Sequence, residues 1–218
     1  MKIMKRPMPP KDIGVFDFDW SMHNDVPYDF RPDEVLKDWV WGTFIDEEGE
    51  LCNPDHIHLS YYNRDLIGFM WASRPFEKGG HVVLGQAEQV AIMAGGWKRK
   101  RQELQMVQWF GYIPKYIITL DAGYAESCSD ADFCALIEHE LYHIGYELDH
   151  EGQMYISPTT GKPKLKMRGH DVEEFHGVVQ RYGASPDVQK MVELANEGPT
   201  IRKANIAHAC GTCLLKLA

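Results

Sequence analysis

The 218 residues predict one compact domain, or one domain with a small appendage, in which helices and short strands are mixed. Three observations support this. Hydrophobic residues make up 44% and charged residues 25%, the balance of a globular chain with a core rather than of a disordered one. Apolar residues recur at helical spacing in some segments, while others alternate or are rich in β-branched residues. Clusters of Pro, Gly and Asp separate the two kinds.

Residues 1–30, rich in Pro, Asp and aromatic residues without a clear period, read as an irregular N-terminal arm. The main domain is expected over 31–185 and a helical C-terminal tail over 186–218. A first helix is predicted from Pro32, with Asp33 and Glu34 in its first turn and Val35, Leu36, Trp39 and Val40 at helical spacing. Residues 56–59 alternate like a strand, and 81–84 read as another short strand. A helical stretch follows from Gln86 to the break at Gly95-Gly96, and an amphipathic helix from Trp97 to Phe110. Tyr116-Ile117-Ile118-Thr119-Leu120, ending on Asp121-Ala122-Gly123, reads as a strand and a turn. Farther on, residues 153–156 and 165–168 flank Ser157-Pro158-Thr159-Thr160-Gly161-Lys162-Pro163, a hairpin pattern. A helix is expected from Asp171 to Tyr182, stopped by Gly183, and another over 187–196.

Charge and targeting signals narrow the function classes. A formal net charge of −9 argues against a protein that wraps nucleic acid by neutralising phosphates. The basic run Lys98-Arg99-Lys100-Arg101 reads as a solvated helix face. The basic N-terminus is interrupted by Pro9 and Pro10 rather than followed by a signal-peptide core, and no segment approaches the ~20 apolar residues of a membrane span. A cytoplasmic protein with no membrane association is expected. Five cysteines without an export signal read as reduced thiols.

The chemistry concentrates in Ile137-Glu138-His139-Glu140-Leu141-Tyr142-His143-Ile144. Ser127 and Ser129 offer N-caps, and Ser129 with Asp132 resembles a capping box. Phe133, Leu136, Ile137, Leu141, Ile144 and Leu148 then form an amphipathic stripe. On such a helix His139 and His143 project about 40° apart, one turn along the axis, so two imidazoles can meet one metal ion. Zinc suits neutral imidazoles and lowers the pKa of a water in its open position. Glu140, at the inner edge of the pair, is the candidate catalytic base that takes this water's proton and hands it to a leaving amine. Glu147 is on the same face, yet about 12 Å along the axis from position 139, too far for a shared ion.

A third ligand must come from elsewhere. Gly169-His170-Asp171-Val172-Glu173-Glu174-Phe175-His176 is the best source. Asp171 and Glu174 form an Asp-x-x-Glu capping box, which leaves His170 at the helix mouth free to reach the metal. Glu174 is the alternative ligand; Glu173 reads as solvent-facing and His176 as a surface or core histidine.

These segments, His-Glu-Leu-Tyr-His-Ile, a Gly-Lys-containing hairpin, His-Asp-Val-Glu-Glu-Phe and Arg-Tyr-Gly, resemble the putative phage metallopeptidase family and, more distantly, SprT-like and other minimal zincin peptidases. The resemblance covers about residues 30–185. It implies an α+β, minimal zincin-like fold in which a small mixed sheet packs on the active-site helix. It also implies a zinc-dependent metallopeptidase acting on peptide or protein substrates, in the host cytoplasm if phage-encoded. By the same analogy the strand at Tyr116–Leu120 would be a sheet edge beside the metal, pairing with an extended substrate.

Other residues carry less. Tyr146, Tyr155 and Arg168 are candidates for stabilising an oxyanion, whereas Tyr142 is expected to point away from the metal. Cys210 and Cys213 form a lone Cys-x-x-Cys, read as two inert thiols rather than a second zinc site with Cys52, His56 or Cys134. His56, His58 and His81 read as ordinary strand residues. Two further functions compete with the peptidase: a catalytically inactive, metal-stabilised interaction protein, and a DNA-associated protease of the SprT-like kind.

Overall fold

A computed structural model of the chain describes residues 5–16, 26–78, 81–172, 176–201 and 204. In chain order its elements are β1 (Phe30–Pro32), α1 (Glu34–Val40), α2 (Ile57–Ser60), β2 (Ile67–Ala72), β3 (Phe76–Lys78), β4 (His81–Val83) and β5 (Gly85–Gln89). Then come α3 (Gly96–Phe110), β6 (Tyr116–Asp121), α4 (Ala122–Ser127), α5 (Asp130–Tyr142), β7 (Ile144–Tyr146), β8 (Leu165–Met167), α6 (His176–Tyr182) and α7 (Pro186–Glu197). The mixture of helices with small, partly antiparallel sheets is the expected α+β class.

The central sheet has four strands in the order β1-β2-β6-β5; β2 and β6 run parallel and the other pairs antiparallel. Its two inner strands are buried on both faces, so they read as continuous apolar runs. Phe69, Trp71, Ile118 and Leu120 face α1 and α5, meeting Leu36, Val40, Phe133, Leu136 and Ile137. Each such fully buried side chain contributes roughly 1.5–3 kcal/mol. Met70 and Ile117 face the other way, onto Phe110 of α3. A Cβ at Gly68 would lie 2.7 Å from the Phe110 ring, so this close approach requires glycine.

Several elements depart from the sequence expectations. Pro32 closes β1, and α1 is capped by Asp33, whose carboxylate accepts from the Leu36 amide at 2.9 Å. Residues 56–59 are helical rather than extended. Asn53 caps a 3-10 turn over Pro54–His56 that runs directly into α2, so the Asn-Pro pair was the start signal and the alternation was incidental. Residues 85–89, rich in helix formers, form β5 instead, because pairing with β6 outweighs local propensity. Tyr116–Leu120 is not a sheet edge: β6 is an inner strand, bonded to β2 on one side and β5 on the other.

The N-terminal arm is anchored. Arg6, 7% exposed, donates to Asp130 Oδ1 at 2.7 Å and to the carbonyls of Ala125 and Cys128 at 2.6 and 2.8 Å. Its guanidinium also lies 4.7 Å from the Phe133 ring centroid. One N-terminal side chain thus ties together the end of α4 and the start of α5. The basic run 98–101 is exposed on α3, as expected, with Arg99 and Lys100 both paired to Glu103.

Candidate metal centre

The helix α5 begins where the capping pattern places it. Ser129 Oγ accepts from the Asp132 amide at 3.1 Å and donates to the Asp132 carboxylate at 2.6 Å. Phe133, Leu136, Ile137 and Leu141 are buried in the core cluster with the sheet, which fixes the helix on it. The helix does not continue to Leu148 as its stripe implied. It ends at Tyr142, His143 is its C-cap, and Ile144 already belongs to β7. Glu147 is therefore removed from the site by the change of backbone rather than by distance along a helix, and it pairs with Lys164 at 3.0 Å.

That early ending brings in the third histidine. β7 pairs antiparallel with β8, and the Arg168 amide continues the ladder by donating to the His143 carbonyl at 2.8 Å. The returning strand thus ends beside the last turn of α5, and two residues later comes His170. The turn at 157–162 lies where the sequence predicted it. However, β8 pairs with residues 144–146, and residues 154 and 156 make only isolated bridges.

His139, His143 and His170 converge, each offering one nitrogen, with these atoms all within 4.8 Å of one another. His139 Nε2 lies 3.3 Å from His143 Nε2 and 3.0 Å from His170 Nε2. Tetrahedral ligands ~2.0–2.1 Å from a zinc ion are about 3.3 Å apart, so the spacing suits a common ion. The donor chemistry agrees. Burial, reinforced by the neighbouring imidazoles of His143 and His170, pushes the His139 pKa down to about 4, leaving it neutral near pH 7. His143 Nδ1 lies 2.8 Å from the Arg168 carbonyl; as its donor it fixes the ring and leaves Nε2 for a metal.

Glu140 is fully buried. Its Oε2 accepts from the Ala87 amide of β5 at 2.7 Å. The inward orientation expected from the helix stripe is present, but the carboxylate lies against β5 and is not part of the cavity wall at the histidines. That cavity, of about 370 Å³, is lined by the three histidines together with Arg168, Val172 and Met191 of α7. Tyr142 also reaches it, contrary to expectation, although its hydroxyl is held by Asn53 at 3.0 Å and Asp55 at 2.8 Å. Of the oxyanion candidates Arg168 lies at the cavity, ion-paired with Asp171. Tyr146 packs on His58, 5.0 Å between ring centroids, and Tyr155 does not line the cavity.

Among the described residues the helix expected from Asp171 covers His176–Tyr182; Val172 is not helical, so Asp171 is not its cap. Glu173, Glu174 and Phe175, and with them the alternative ligand Glu174, lie outside the described residues, as do Cys210 and Cys213. Cys52, Cys128 and Cys134 are free thiols. His56 and His58 are buried in and beside α2 and are not part of the triad, although His56 packs on Tyr142 and His58 Nε2 lies 2.6 Å from the Ile144 carbonyl. Among the described residues no helix is long and apolar enough to cross a membrane. The backbone contact of Ala87 and the cavity residues Val172 and Met191 had no sequence signal, because none belongs to a motif.

Residues 37–196 match the family described as "Putative phage metallopeptidase". No curated protein and no solved structure matches the chain. The matched stretch covers most of the chain and includes both the His-Glu-x-x-His helix and His170, so this chain belongs to the putative phage metallopeptidase family.

Proposed function

We propose that the chain is a zinc-dependent peptidase in which His139, His143 and His170 hold the metal and Glu140 is the general base. The observation that carries this reading is the convergence of three imidazole nitrogens, two from the helix and one from the returning hairpin, in a member of a metallopeptidase family. Three neutral imidazoles suit zinc and leave a fourth position open. An ion bound there supplies Lewis acidity, polarising a peptide carbonyl and making a water molecule easier to deprotonate.

The chain's own groups do the rest. His143, fixed by the Arg168 carbonyl, keeps its ligand nitrogen aimed at the centre. Glu140, next to His139 on the same turn, takes a proton from water and returns it to the leaving amine. Arg168 at the cavity offers positive charge toward the carbonyl oxygen as negative charge develops. Val172 and Met191 give the same cavity an apolar wall for a substrate side chain. A net charge of −9 favours a peptide or protein substrate over nucleic acid.

Purified protein should carry about one zinc per chain by elemental analysis, as one tetrahedral site requires, and His139→Ala should lose it. A peptide-library digest should show cleavage that disappears in Glu140→Gln while zinc stays bound. The complete burial of Glu140, outside the cavity wall, favours one other reading, a metal-stabilised binding module. Zinc retention by the unaltered protein without cleavage of any peptide would establish that reading instead, and absence of zinc would overturn both.

A further inference from the structure

We infer that β5 is the positioning element for Glu140, with the Ala87 amide holding one carboxylate oxygen and Gly85 leaving the space the carboxylate occupies. This inference rests on the proposed role of Glu140 as base.

The contact is well defined. Ala87 N donates to Glu140 Oε2 at 2.7 Å in a buried setting, a length typical of a charge-assisted bond. Two residues earlier, a Cβ at Gly85 would lie 3.0 Å from Glu140 Oε1, 3.3 Å from Glu140 Cγ and 2.9 Å from Leu136 Cδ1. Gly85 and Ala87 thus meet the two oxygens of one carboxylate. β5 is in turn paired with the inner strand β6 along its whole length, from Gly85 opposite Leu120 to Gln89 opposite Tyr116. The donor is therefore held by the central sheet, and Glu140 takes its orientation from the fold.

This arrangement has a consequence for substrate binding. The Ala87 amide, directed away from β6, is engaged with Glu140, so it is not available to pair with an extended substrate. The role of this part of the strand is to orient the base. A base must be held close to its productive position, and a misplacement of about 1 Å costs on the order of 100-fold in rate.

Two measurements test this on the full-length, zinc-loaded protein. In Gly85→Ala the added methyl displaces the carboxylate, so kcat should fall about 100-fold with KM changed less than about threefold and zinc content intact. Adding Leu136→Val to that variant relieves the clash with leucine but not the one with the carboxylate, so kcat should stay low. Independently of activity, the Ala87 amide proton resonance should move upfield in Glu140→Gln, where the acceptor is neutral, and its hydrogen exchange should accelerate in Glu140→Ala. Full activity in Gly85→Ala, recovery on adding Leu136→Val, or an Ala87 resonance indifferent to residue 140 would each overturn the inference. If the unaltered protein binds zinc and cleaves nothing, the functional reading falls and the catalytic purpose of the contact falls with it, while the Ala87 signals still report whether the contact exists.

Discussion

Replacing His170 by Ala tests the centre where it is most distinctive, because His170 alone comes from outside the helix. Its Nε2 lies 3.0 Å from that of His139, and the residue is exposed, so its loss removes a donor without opening the core. Apparent zinc-binding free energies of ~10–16 kcal/mol for four-ligand protein sites correspond to about 2.5–4 kcal/mol per ligand. Removing one therefore weakens the dissociation constant by roughly 10²–10³-fold. The assay is competition between the metal-free protein and a chromophoric chelator near pH 7.5, with near-ultraviolet circular dichroism to confirm unchanged packing. Glu174→Gln, run beside it, should bind zinc as the unaltered protein does. Binding by His170→Ala within about threefold of the original, well under the loss of one ligand, would refute the three-histidine centre. A loss confined to Glu174→Gln would transfer the third ligand to the acidic residue.

Two other outcomes follow from groups outside the centre. Arg6→Ala removes a buried guanidinium that bonds Asp130 and the carbonyls of Ala125 and Cys128, and should cost about 2–4 kcal/mol in urea unfolding. Arg6→Lys should recover only part of this, since an ammonium lacks the fork that reaches all three acceptors, and a loss below about 1 kcal/mol would show that the arm does not hold α5. Burial, with a smaller contribution from His58, pushes the pKa of His56 down to about 4 from 6.5. The unfolded chain gains a proton below pH 6.5 that the folded one refuses until about pH 4, so stability should fall with decreasing pH across that window and level off beneath it. The total for this group is about 3 kcal/mol, and in zinc-free protein, where His139 adds a slope of its own, His56→Gln should make the slope shallower by that share; an unchanged slope would assign the effect elsewhere.

The local signals that proved sound were those whose physics is confined to one turn or one turn pair. Ser129 before Asp132 marked the start of α5, and Ser157–Lys162 marked a reversal, because capping and turn chemistry involve neighbours in sequence. Signals failed where distant pairing decided the backbone. Residues 85–89 prefer helix locally, yet the open side of β6 made them a strand. The run Ile67–Ala72, among the most apolar of the chain, was not picked out as a strand, since burial on both faces removes the alternation that reveals one. At residues 56–59 the evidence for a helix start was present in Asn53-Pro54, but a short alternation outweighed it.

The sequence was sufficient to name the three histidines that converge. His139, Glu140 and His143 declare themselves because one helical turn fixes their spacing, and His170 could be singled out by its type and its place after a hairpin. Their assembly depended on contacts between residues far apart in the chain. The last turn of α5 had to stop at His143 for the β7–β8 ladder to carry His170 back to it. Glu140 had to meet the Ala87 amide for its carboxylate to have one orientation. A backbone N–H has no residue type, so no motif could announce it, and only the packing of α5 on the sheet brings it to the carboxylate.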